Sequence, residues 1–380
     1  MSKPKRMILG LIPNNMCNLK CHYCYISQVP DGERFGKEFE YSISHMVKCL
    51  SVERLGGKCL INLTGQGETM LQKNIVDLCR ALLDEGHYIE FVTNLTVTKI
   101  LNELLEIPEN LLKHMEFKIS FHYKELIEKN LIDIFWENVM KVRNSACSFS
   151  LELMPNDEII ENINDIIDMC YEKVGAKCHV TVGRADYLAT RGLLTNKTKN
   201  EYVNIWNVFE SKMFELKMKL LNVKRREFCY AGDWTLFVNM YNGECSPCYA
   251  QPYKQNIFLD PEKPIKYCAV GKHCCEPFCI NGHAHISLGV IPELDAPTYA
   301  EIRNRECSDG TEWLSDDMKE FLGSKLYESN IEYNVINKFT NYCGWYMRSI
   351  GSIFRYPDKV IRRMKLRIFQ LKNKVNRTKG

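Results

Sequence analysis

Long hydrophobic runs are missing from this sequence of 380 residues. None approaches the roughly 18–20 apolar residues that a membrane-spanning helix needs. The apolar run at residues 7–12 is too short for a signal-peptide core, and no small-residue cleavage site follows it. The sequence also lacks internal repeats and low-complexity segments. These absences predict a protein that is neither secreted nor integral to a membrane, and therefore a cytoplasmic one.

Cysteine is the residue type that stands out in an otherwise ordinary composition. Charged residues make up 26% of the chain and hydrophobic residues 45%, as in typical globular proteins. The length predicts about two domains, since one domain takes roughly 150 residues. Eighteen cysteines are unusual in a chain long enough to bury a core without disulfides. In a reducing compartment, clustered cysteines indicate metal binding.

Short β-rich runs alternate with amphipathic helical stretches in about the first 190 residues. The predicted strands lie at residues 7–12, 59–64, 88–93, 116–121, 149–154 and 179–182. This alternation predicts an α/β fold with a parallel sheet and right-handed crossovers. Six units are too few for a closed eight-stranded barrel, so we expect a partial (β/α)6 TIM-like barrel. Its functional residues should lie at the carboxyl ends of the strands.

Five regions are predicted along the chain. They are a barrel core at residues 1–195, a helical linker at 196–228, a small cysteine-rich domain at 229–290, a helical region at 291–346 and a basic tail at 347–380. The linker is expected to hold one long helix at residues 198–222. Seven of the ten clustered cysteines lie in the cysteine-rich domain, where hydrophobic periodicity is poor. Such a segment is expected to be organised by metal.

Three cysteines follow the first predicted strand with the spacing C-x3-C-x2-C, namely Cys17, Cys21 and Cys24. A [4Fe–4S] cluster usually takes four cysteine ligands, so three thiolates would leave one iron open to a substrate or cofactor. Structural zinc is the alternative. Zinc needs a fourth ligand nearby, however, and this loop offers only His22.

This loop resembles the defining motif of the radical S-adenosylmethionine (radical SAM) superfamily in spacing and position. The resemblance covers about the first 190 residues. The segment after the second predicted strand, Gly65-Gln66-Gly67-Glu68, is similar to the glycine-rich GGE motif of that family. Residues 93–96 are similar to its T-N-G-T motif, with Leu95 in place of the usual glycine.

The resemblance implies two cofactors, a [4Fe–4S] cluster on Cys17, Cys21 and Cys24, and SAM bound at its open iron. It also implies reductive cleavage of SAM to methionine and a 5′-deoxyadenosyl radical, which abstracts a hydrogen from the substrate. The candidate SAM-binding residues are Tyr23, Gly65, Gly67, Glu68, Asn94, Ser120, His122 and Arg184. Glycine would let the backbone approach SAM closely, and a guanidinium would hold its carboxylate. A capping or turn role is the alternative for the last four residues.

A second cysteine group begins with the arrangement C-x13-G-x4-C at Cys229, Gly243 and Cys248. It is similar to the opening of the SPASM and Twitch domains that follow many radical SAM cores and hold auxiliary clusters. The glycine allows a tight hairpin between residues 236–241 and 246–249. The C-x2-C that continues a full SPASM pattern is missing, so the resemblance implies one auxiliary [4Fe–4S] cluster. Its predicted ligands are Cys229, Cys248, Cys274 and Cys279; Cys275 could replace Cys274, and Cys268 is a further candidate.

Other roles remain open for this region. A zinc ribbon would use Cys245 and Cys248 with Cys275 and Cys279. Cys307 and Cys343 could complete a second auxiliary cluster, although buried thiols are expected there. Buried thiols are also expected at Cys49, Cys59, Cys79, Cys147, Cys170 and Cys178. Either His283 or His285 could face the substrate, with a structural histidine as the more common alternative.

The carboxyl-terminal tail differs sharply from the body in charge. Residues 348–380 hold eleven Lys/Arg and one acidic residue, whereas the rest holds 39 basic and 46 acidic residues. An amphipathic helix beginning near Pro357 is indicated by the apolar stripe Ile361, Met364, Ile368, Leu371 and Val375. Such a helix suits an anionic membrane surface. Docking on the acidic body or a solvated end is an equal alternative, and nucleic acid is not expected.

These inferences predict an iron–sulfur-dependent radical SAM enzyme that takes an electron from a reductant such as flavodoxin or ferredoxin. Membrane contact by the tail would make it peripheral at the inner face. Only sixteen residues precede Cys17, which leaves no room for a leader-peptide recognition domain. We therefore expect a small-molecule or glycan substrate, with dehydrogenation or epimerisation as the reaction. Peptide modification of the SPASM type and a non-catalytic metal-binding scaffold are the alternatives.

Overall fold

Nine strands form one sheet within the part of the chain that the computed structural model describes. The described residues are 3–28, 36–185, 192–248, 255–274 and 276–355, together with 361, 364 and 368. The strands are β1 (Arg6–Ile12), β2 (Cys59–Gly65), β3 (Tyr88–Thr93), β4 (Met115–Phe121), β5 (Ser148–Leu153), β6 (His179–Val180), β7 (Thr235–Asn239), β8 (Glu244–Ser246) and β9 (Gln255–Asn256).

Helices connect and cover these strands. They are α1 (Ile43–Cys49), α2 (Val52–Leu55), α3 (Ile75–Asp84), α4 (Thr98–Leu105), α5 (Glu109–Leu112), α6 (Tyr123–Glu128), α7 (Ile132–Arg143), α8 (Ile163–Val174), α9 (Lys199–Trp206), α10 (Lys212–Leu220), α11 (Gly282–His285), α12 (Tyr299–Arg303), α13 (Asp316–Gly323) and α14 (Val335–Arg355). Short 3₁₀ segments lie at Thr69–Leu71, Asp157–Asn162, Asn207–Phe209 and Leu326–Glu328.

The sheet is open and mostly parallel. Its strand order is β6-β5-β4-β3-β2-β1-β7-β8-β9. Strands β1 to β7 pair in parallel, whereas β8 and β9 are antiparallel additions at one edge. The predicted partial barrel is therefore confirmed, and all six predicted strands are present. Strand β6 stops two residues before its predicted end.

Side chains of opposite character occupy the two faces of the sheet, because successive residues of a strand point to opposite sides. On β4, Phe117, Ile119 and Phe121 are fully buried in the core beneath the helices. Glu116 and Lys118 lie on the other, inner face. This inner face is therefore polar, although it is largely covered by later segments of the chain.

A buried ion cluster joins the inner face to α12. The Arg303 guanidinium, fully buried, lies 3.0 Å from Glu90 Oε1 and 2.9 Å from Glu152 Oε2. The Tyr299 hydroxyl donates to the same Glu90 oxygen at 2.5 Å. Because a buried charge without a partner is costly, these contacts fix α12 against the strands. The carboxyl-terminal region thus packs into the open side of the partial barrel.

The linker does not form the single long helix that the sequence predicts. Instead α9 and α10 are separated at Glu210, whose φ of +49° is left-handed. A left-handed residue cannot continue an α-helix. Ser211 then begins α10, because its side chain accepts a hydrogen bond from the Phe214 amide. The left-handed residue thus ends the first helical segment, and the capping serine begins the next helix. Hydrophobic periodicity alone does not reveal this break.

The hairpin predicted around Gly243 is present and extends the barrel sheet. Strand β7 pairs with β1 on one side and with β8 on the other. Gly243 has a φ of +76°, and a Cβ there would lie 2.4 Å from the Phe258 side chain. This turn therefore requires glycine. Because β7 continues the sheet, the cysteine-rich region shares its framework with the barrel core, and the exact division into regions remains a prediction.

The helical region after residue 291 is present as α12, α13 and α14. Helix α14 runs to Arg355, past the predicted boundary at residue 346. No helix among the described residues is long and apolar enough to cross a membrane. Residues 361, 364 and 368 are helical and about half exposed. The other residues of the predicted tail helix, including Leu371 and Val375, lie outside the described ranges.

Candidate active site

The loop that leaves β1 brings Cys17, Cys21 and Cys24 together at the carboxyl end of the sheet. Burial raises the pKa of the Cys21 thiol to about 12, and the neighbouring Cys24 and Cys17 thiols add to that rise. Two contacts hold the loop in place. The Asn18 side-chain amide donates to the Thr96 hydroxyl at 2.6 Å, and the Lys20 backbone amide donates to a Glu125 carboxylate oxygen at 3.0 Å. The three thiols are therefore positioned by the segments that follow β3 and β4.

The glycine-rich segment after β2 packs against the backbone just before Cys17. The Gly67 amide donates to the Asn14 carbonyl at 2.8 Å, and the Glu68 amide donates to the Met16 carbonyl at the same distance. A Cβ on Gly67 would lie only 2.0 Å from the Met16 oxygen. The sequence predicts that this glycine lies close to SAM. In the structure its close neighbour is the backbone that leads into the cysteine loop. Gly65 is also crowded, since its Cβ would lie 3.0 Å from the Gly67 carbonyl oxygen.

Glu68 ties the end of β2 to the end of β3. Its buried carboxylate accepts hydrogen bonds from the Thr93 hydroxyl at 2.6 Å, the Asn94 amide at 2.8 Å and the Met70 amide at 2.9 Å. Burial raises the pKa of Glu68, and the same hydrogen bonds oppose that rise. Both carboxylate oxygens therefore have fixed protein partners. Glu68 shapes the site by holding two strand ends in register.

Asn94 reaches from β3 to the cysteine loop. Its side-chain nitrogen lies 2.9 Å from Asn18 Oδ1 and 3.8 Å from Cys17 Sγ. The next residue, Leu95, is fully buried and has a φ of +55°. This is the left-handed conformation that favours glycine. The sequence departs from the family motif at this position, but the backbone keeps the conformation that a glycine would adopt.

Tyr23 and His122 contact each other beside the cysteine loop. The Tyr23 hydroxyl lies 2.9 Å from His122 Nδ1, and Tyr23 is buried. Burial lowers the pKa of His122 to about 4, so its ring is neutral at physiological pH. Ser120 lies on the inner face of β4, opposite Glu152 in the sheet register. These candidate residues therefore line the carboxyl end of the same sheet.

Arg184 follows β6 and faces the cysteine-rich region. Its Nη1 donates to the Ile280 carbonyl at 3.2 Å, and Ile280 follows Cys279 directly. The backbone carbonyl of Arg184 also accepts from the Gln28 side chain, which comes from the end of the first cysteine loop. Arg184 is therefore the residue through which the two cysteine groups are linked.

Four later thiols also lie together. Burial raises the pKa of Cys279 well above its ordinary value, and the thiols of Cys229, Cys248 and Cys274 each add to that rise. Cys229 is fixed by a pair of backbone hydrogen bonds with Gly271, at 3.1 and 2.8 Å. The structure thus brings together the four predicted ligands of the auxiliary cluster. Cys275, the alternative to Cys274, lies outside the described residues.

The other described cysteines have different surroundings. Cys245 is buried in the core beneath the helices, whereas the four later thiols pack against other apolar clusters, which does not favour the zinc-ribbon arrangement. The Cys268 thiol donates to Asn341 of α14 at 3.3 Å, and Cys307 donates to the Val174 carbonyl. Cys343 is exposed, so the prediction of a buried thiol there is wrong. The six cysteines predicted as ordinary core residues are buried.

The thiol arrangement fits iron–sulfur clusters better than single zinc ions. Zinc–sulfur bonds of about 2.3 Å would place the ligating sulfurs about 3.8 Å apart. Among the described residues, no group of three or more Cys, His, Asp or Glu side chains is placed to hold one metal ion. His22 is the one candidate in the first loop for a fourth zinc ligand beside the three cysteines. Its side chain is half exposed, and its Nδ1 lies 3.2 Å from a Glu158 carboxylate oxygen. A cubane spreads its ligands over four irons and tolerates the wider spacing.

Sequence analysis missed Lys217 as a site residue. This lysine lies on α10 and lines a cavity together with Arg184, Cys279 and His283. A signal was present, because Lys217 stands four residues after Met213 and three before Leu220, both buried. A lysine in the apolar stripe of a helix indicates a polar environment inside the fold.

Comparisons with known proteins agree with the first motif. Residues 11–170 match the family model described as the Radical SAM superfamily. The comparison with curated proteins gave no match.

Three solved structures show distant similarity. Streptococcus suis SuiB bound to S-adenosylmethionine is 17% identical, with 68% of this chain and 64% of SuiB covered and a TM-score of 0.44. Native anSMEcpe with bound AdoMet is 15% identical over 95% of this chain and 100% of that one, with a TM-score of 0.46. BtrN in complex with AdoMet and 2-DOIA is 15% identical, with 65% and 74% covered and a TM-score of 0.34.

At these TM-scores the three structural similarities assign no function to this chain. The chain spans 64% of the length of SuiB. The family match stands on its own. It begins within β1, contains all three cysteines of the first loop, and ends within α8. The GQGE and TNLT segments described above also lie inside it. Similarity to the radical SAM superfamily is therefore shown for residues 11–170.

Proposed function

We propose that this chain is a two-cluster radical SAM enzyme that abstracts a hydrogen from a sugar or other small molecule, leading to dehydrogenation or epimerisation. One [4Fe–4S] cluster would bind to Cys17, Cys21 and Cys24, and the other to Cys229, Cys248, Cys274 and Cys279. The first cluster, when bound and reduced, supplies the electron that cleaves SAM. A flavodoxin- or ferredoxin-type reductant would deliver that electron.

The observation that carries the proposal is the small cavity beside Cys279. Arg184 and Cys279 line this cavity, and the Arg184 guanidinium donates to the residue after Cys279. A polar group of a substrate that entered the cavity would lie beside Cys279, near the end of β6. An auxiliary cluster in that position is suited to accept an electron from a substrate radical, as a dehydrogenation requires.

The chain's own residues have separate tasks in this proposal. Glu68 and Gly67 hold the cysteine loop against the ends of β2 and β3, and Tyr23 with His122 closes one side of the loop. Arg184 would hold the carboxylate of SAM, because a guanidinium offers two parallel donors. The covered inner face would keep water away from a reactive radical.

Product analysis tests the proposal. Reconstituted, reduced protein supplied with SAM should form 5′-deoxyadenosine, and a Cys17→Ala variant should form none, because the loop then offers only two thiolates. Equal amounts from both proteins, or none from either, would support the metal-binding scaffold instead. Incubation with candidate sugars and peptides, followed by mass spectrometry, identifies the substrate class; a modified peptide would contradict the small-molecule assignment.

The exposed side of α14 supports a second part of the proposal, contact with an anionic membrane surface. Helix α14 packs against the cysteine-rich region through Asn341, which bonds to the Ala269 carbonyl at 3.1 Å. Its free side exposes Ile336, Phe339 and Met347, each at 67% or more. This apolar side leads into the tail with its eleven basic residues. Apolar contact with basic flanks is the composition that binds anionic lipid.

Vesicle sedimentation tests membrane contact. The full chain should sediment with phosphatidylserine vesicles and not with phosphatidylcholine vesicles. An Ile336→Ser/Phe339→Ser variant and a chain ending at Tyr356 should each bind less. Leu259→Ser is the matched control, since Leu259 is 71% exposed elsewhere on the surface. Equal binding by all four proteins would remove the membrane assignment.

A further inference from the structure

The cavity beside Cys279 is formed by three separate segments of the chain. They are the stretch after β6, helix α10 and the residues around α11. Its polar or charged wall consists of Arg184, Lys217, Cys279 and His283, and apolar residues such as Val182 and Phe278 complete it. The space they enclose is small, about 20 Å³, which admits one polar group of a ligand and not a whole small molecule.

Lys217 brings an amine into this cavity, and burial lowers its pKa to about 7, so only part of it is positively charged at neutral pH. Its ammonium group donates to the Thr181 hydroxyl, which is neutral. No carboxylate among the described residues lies within ion-pair distance of Lys217. The acidic side chain with the strongest effect on it is Glu152. That carboxylate already has two cationic partners, Lys118 at 3.5 Å and Arg303 at 2.9 Å.

Cationic side chains outnumber carboxylates in and near the cavity, and a bound anion would favour the protonated form of Lys217. Lys118, Lys217, Arg184 and Arg303 all act on one another or on Glu152. Glu90 supplies a second negative charge through its pair with Arg303. The third acid of the inner face is Glu116, and burial together with Glu90 raises its pKa. A partly buried excess of cations is costly unless an anion offsets it.

His283 provides a hydrogen-bonding group without a partner in the described part of the chain. The residue is 9% exposed, and its Nδ1 is buried with no hydrogen-bond partner. A buried polar group without a hydrogen bond is unfavourable, so this ring nitrogen indicates a missing partner. The ring lines the same cavity as Lys217. A bound oxyanion would accept from an N–H of the ring and would also offset the lysine charge.

We propose that Lys217 and His283 bind an anionic oxygen group of the substrate, a carboxylate or a phosphate, beside Cys279. This inference rests on the proposed function, because it assigns the cavity to the substrate. It narrows the substrate class to acidic or phosphorylated small molecules.

Anion binding to the reconstituted, SAM-saturated protein tests the inference without requiring turnover. Calorimetric titration with inorganic phosphate and with acetate, at constant ionic strength, should show saturable binding of at least one of them. Lys217→Met and His283→Leu should each weaken that binding at least tenfold, because each removes a group that contacts the anion. Lys219→Met is the matched control on the exposed side of the same helix and should leave binding unchanged.

Three outcomes would overturn the inference. The first is that neither anion binds. The second is equal affinity in the Lys217→Met and wild-type proteins. The third is that the wild-type protein binds an anion without SAM but not when it is saturated with SAM. The last outcome would assign the cations to the SAM carboxylate. Iron content and circular dichroism establish that each variant is folded, and the two variants test the site independently. Failure of the proposed function is distinguishable, because it would appear as missing 5′-deoxyadenosine.

Discussion

The two cysteine groups of this protein are assembled in different ways. Cys17, Cys21 and Cys24 come from a single loop of eight residues that directly follows β1. The later four come from distant stretches, with 49 residues between the first, Cys229, and the last, Cys279. The first group is positioned by short side-chain contacts with neighbouring strand ends. The second depends on β7, β8 and the loop at Gly271 all reaching one place.

The difference shows why the sequence signature of the first group is complete and that of the second is partial. A local loop must fix its thiols by spacing, so the spacing is visible in the sequence. A non-local group is fixed by the tertiary fold, so the pattern at Cys229, Gly243 and Cys248 left the choice among the later cysteines open. The two groups should therefore respond differently to substitutions in their surroundings, and the following predictions test that difference.

Removal of one auxiliary thiol should have the largest effect that separates the two groups. We expect Cys279→Ala to lose about four of about eight irons and all substrate conversion, while 5′-deoxyadenosine formation persists. Cys245→Ala is the matched control, because Cys245 is a buried thiol nearby on β8 that packs in a different apolar cluster from the four. Iron and sulfide analysis with product assays measures both. Equal iron in the two variants would show that Cys279 is not a ligand.

A methyl group at Gly67 should disrupt the first group alone. The added Cβ would lie 2.0 Å from the Met16 backbone oxygen. Neither atom can move by a change of side-chain rotamer, so the cysteine loop must shift. We expect Gly67→Ala to reduce SAM cleavage at least tenfold while the auxiliary cluster is retained. Gly323→Ala is the control, because its Cβ would meet nothing within 4 Å. Mössbauer or electron paramagnetic resonance spectra distinguish the two clusters.

Much of the first group and its strands could be predicted from the sequence, because both depend on local patterns. Spacing identified Cys17, Cys21 and Cys24, and periodicity identified the strands beneath them. Lys217 could not be placed in the same way, because its environment comes from Glu152 on another strand and from Arg303 far along the chain. The break at Glu210 was missed for a related reason, since a capping serine outweighed a continuous helical pattern.

The buried ion cluster on the inner face of the sheet should make stability depend on pH. Burial and the nearby Glu90 raise the pKa of Glu116, so the folded protein keeps this proton to a higher pH than the unfolded chain does. Stability must then fall as pH rises above the ordinary glutamate range. We expect Glu116→Gln to lessen this fall by on the order of 1–3 kcal/mol between pH 5.5 and 8, measured by anaerobic urea unfolding. The exposed Glu109→Gln variant should follow the wild-type curve, and an unchanged slope in Glu116→Gln would contradict the assignment.

The smallest expected effect concerns Leu95, where the local motif departs from the family pattern. At ordinary buried positions alanine is more stable than glycine, because glycine loses more backbone entropy on folding. At Leu95 the φ of +55° reverses this, since alanine keeps the left-handed strain and glycine relieves it. We expect Leu95→Gly to be more stable than Leu95→Ala by about 1 kcal/mol in urea unfolding. The same pair of substitutions at Leu104, buried within α4, should give the opposite order, because glycine is unfavourable inside a helix. If alanine were the more stable residue at both positions, the left-handed conformation would not be a property of the motif, and Leu95 would act only as a core residue.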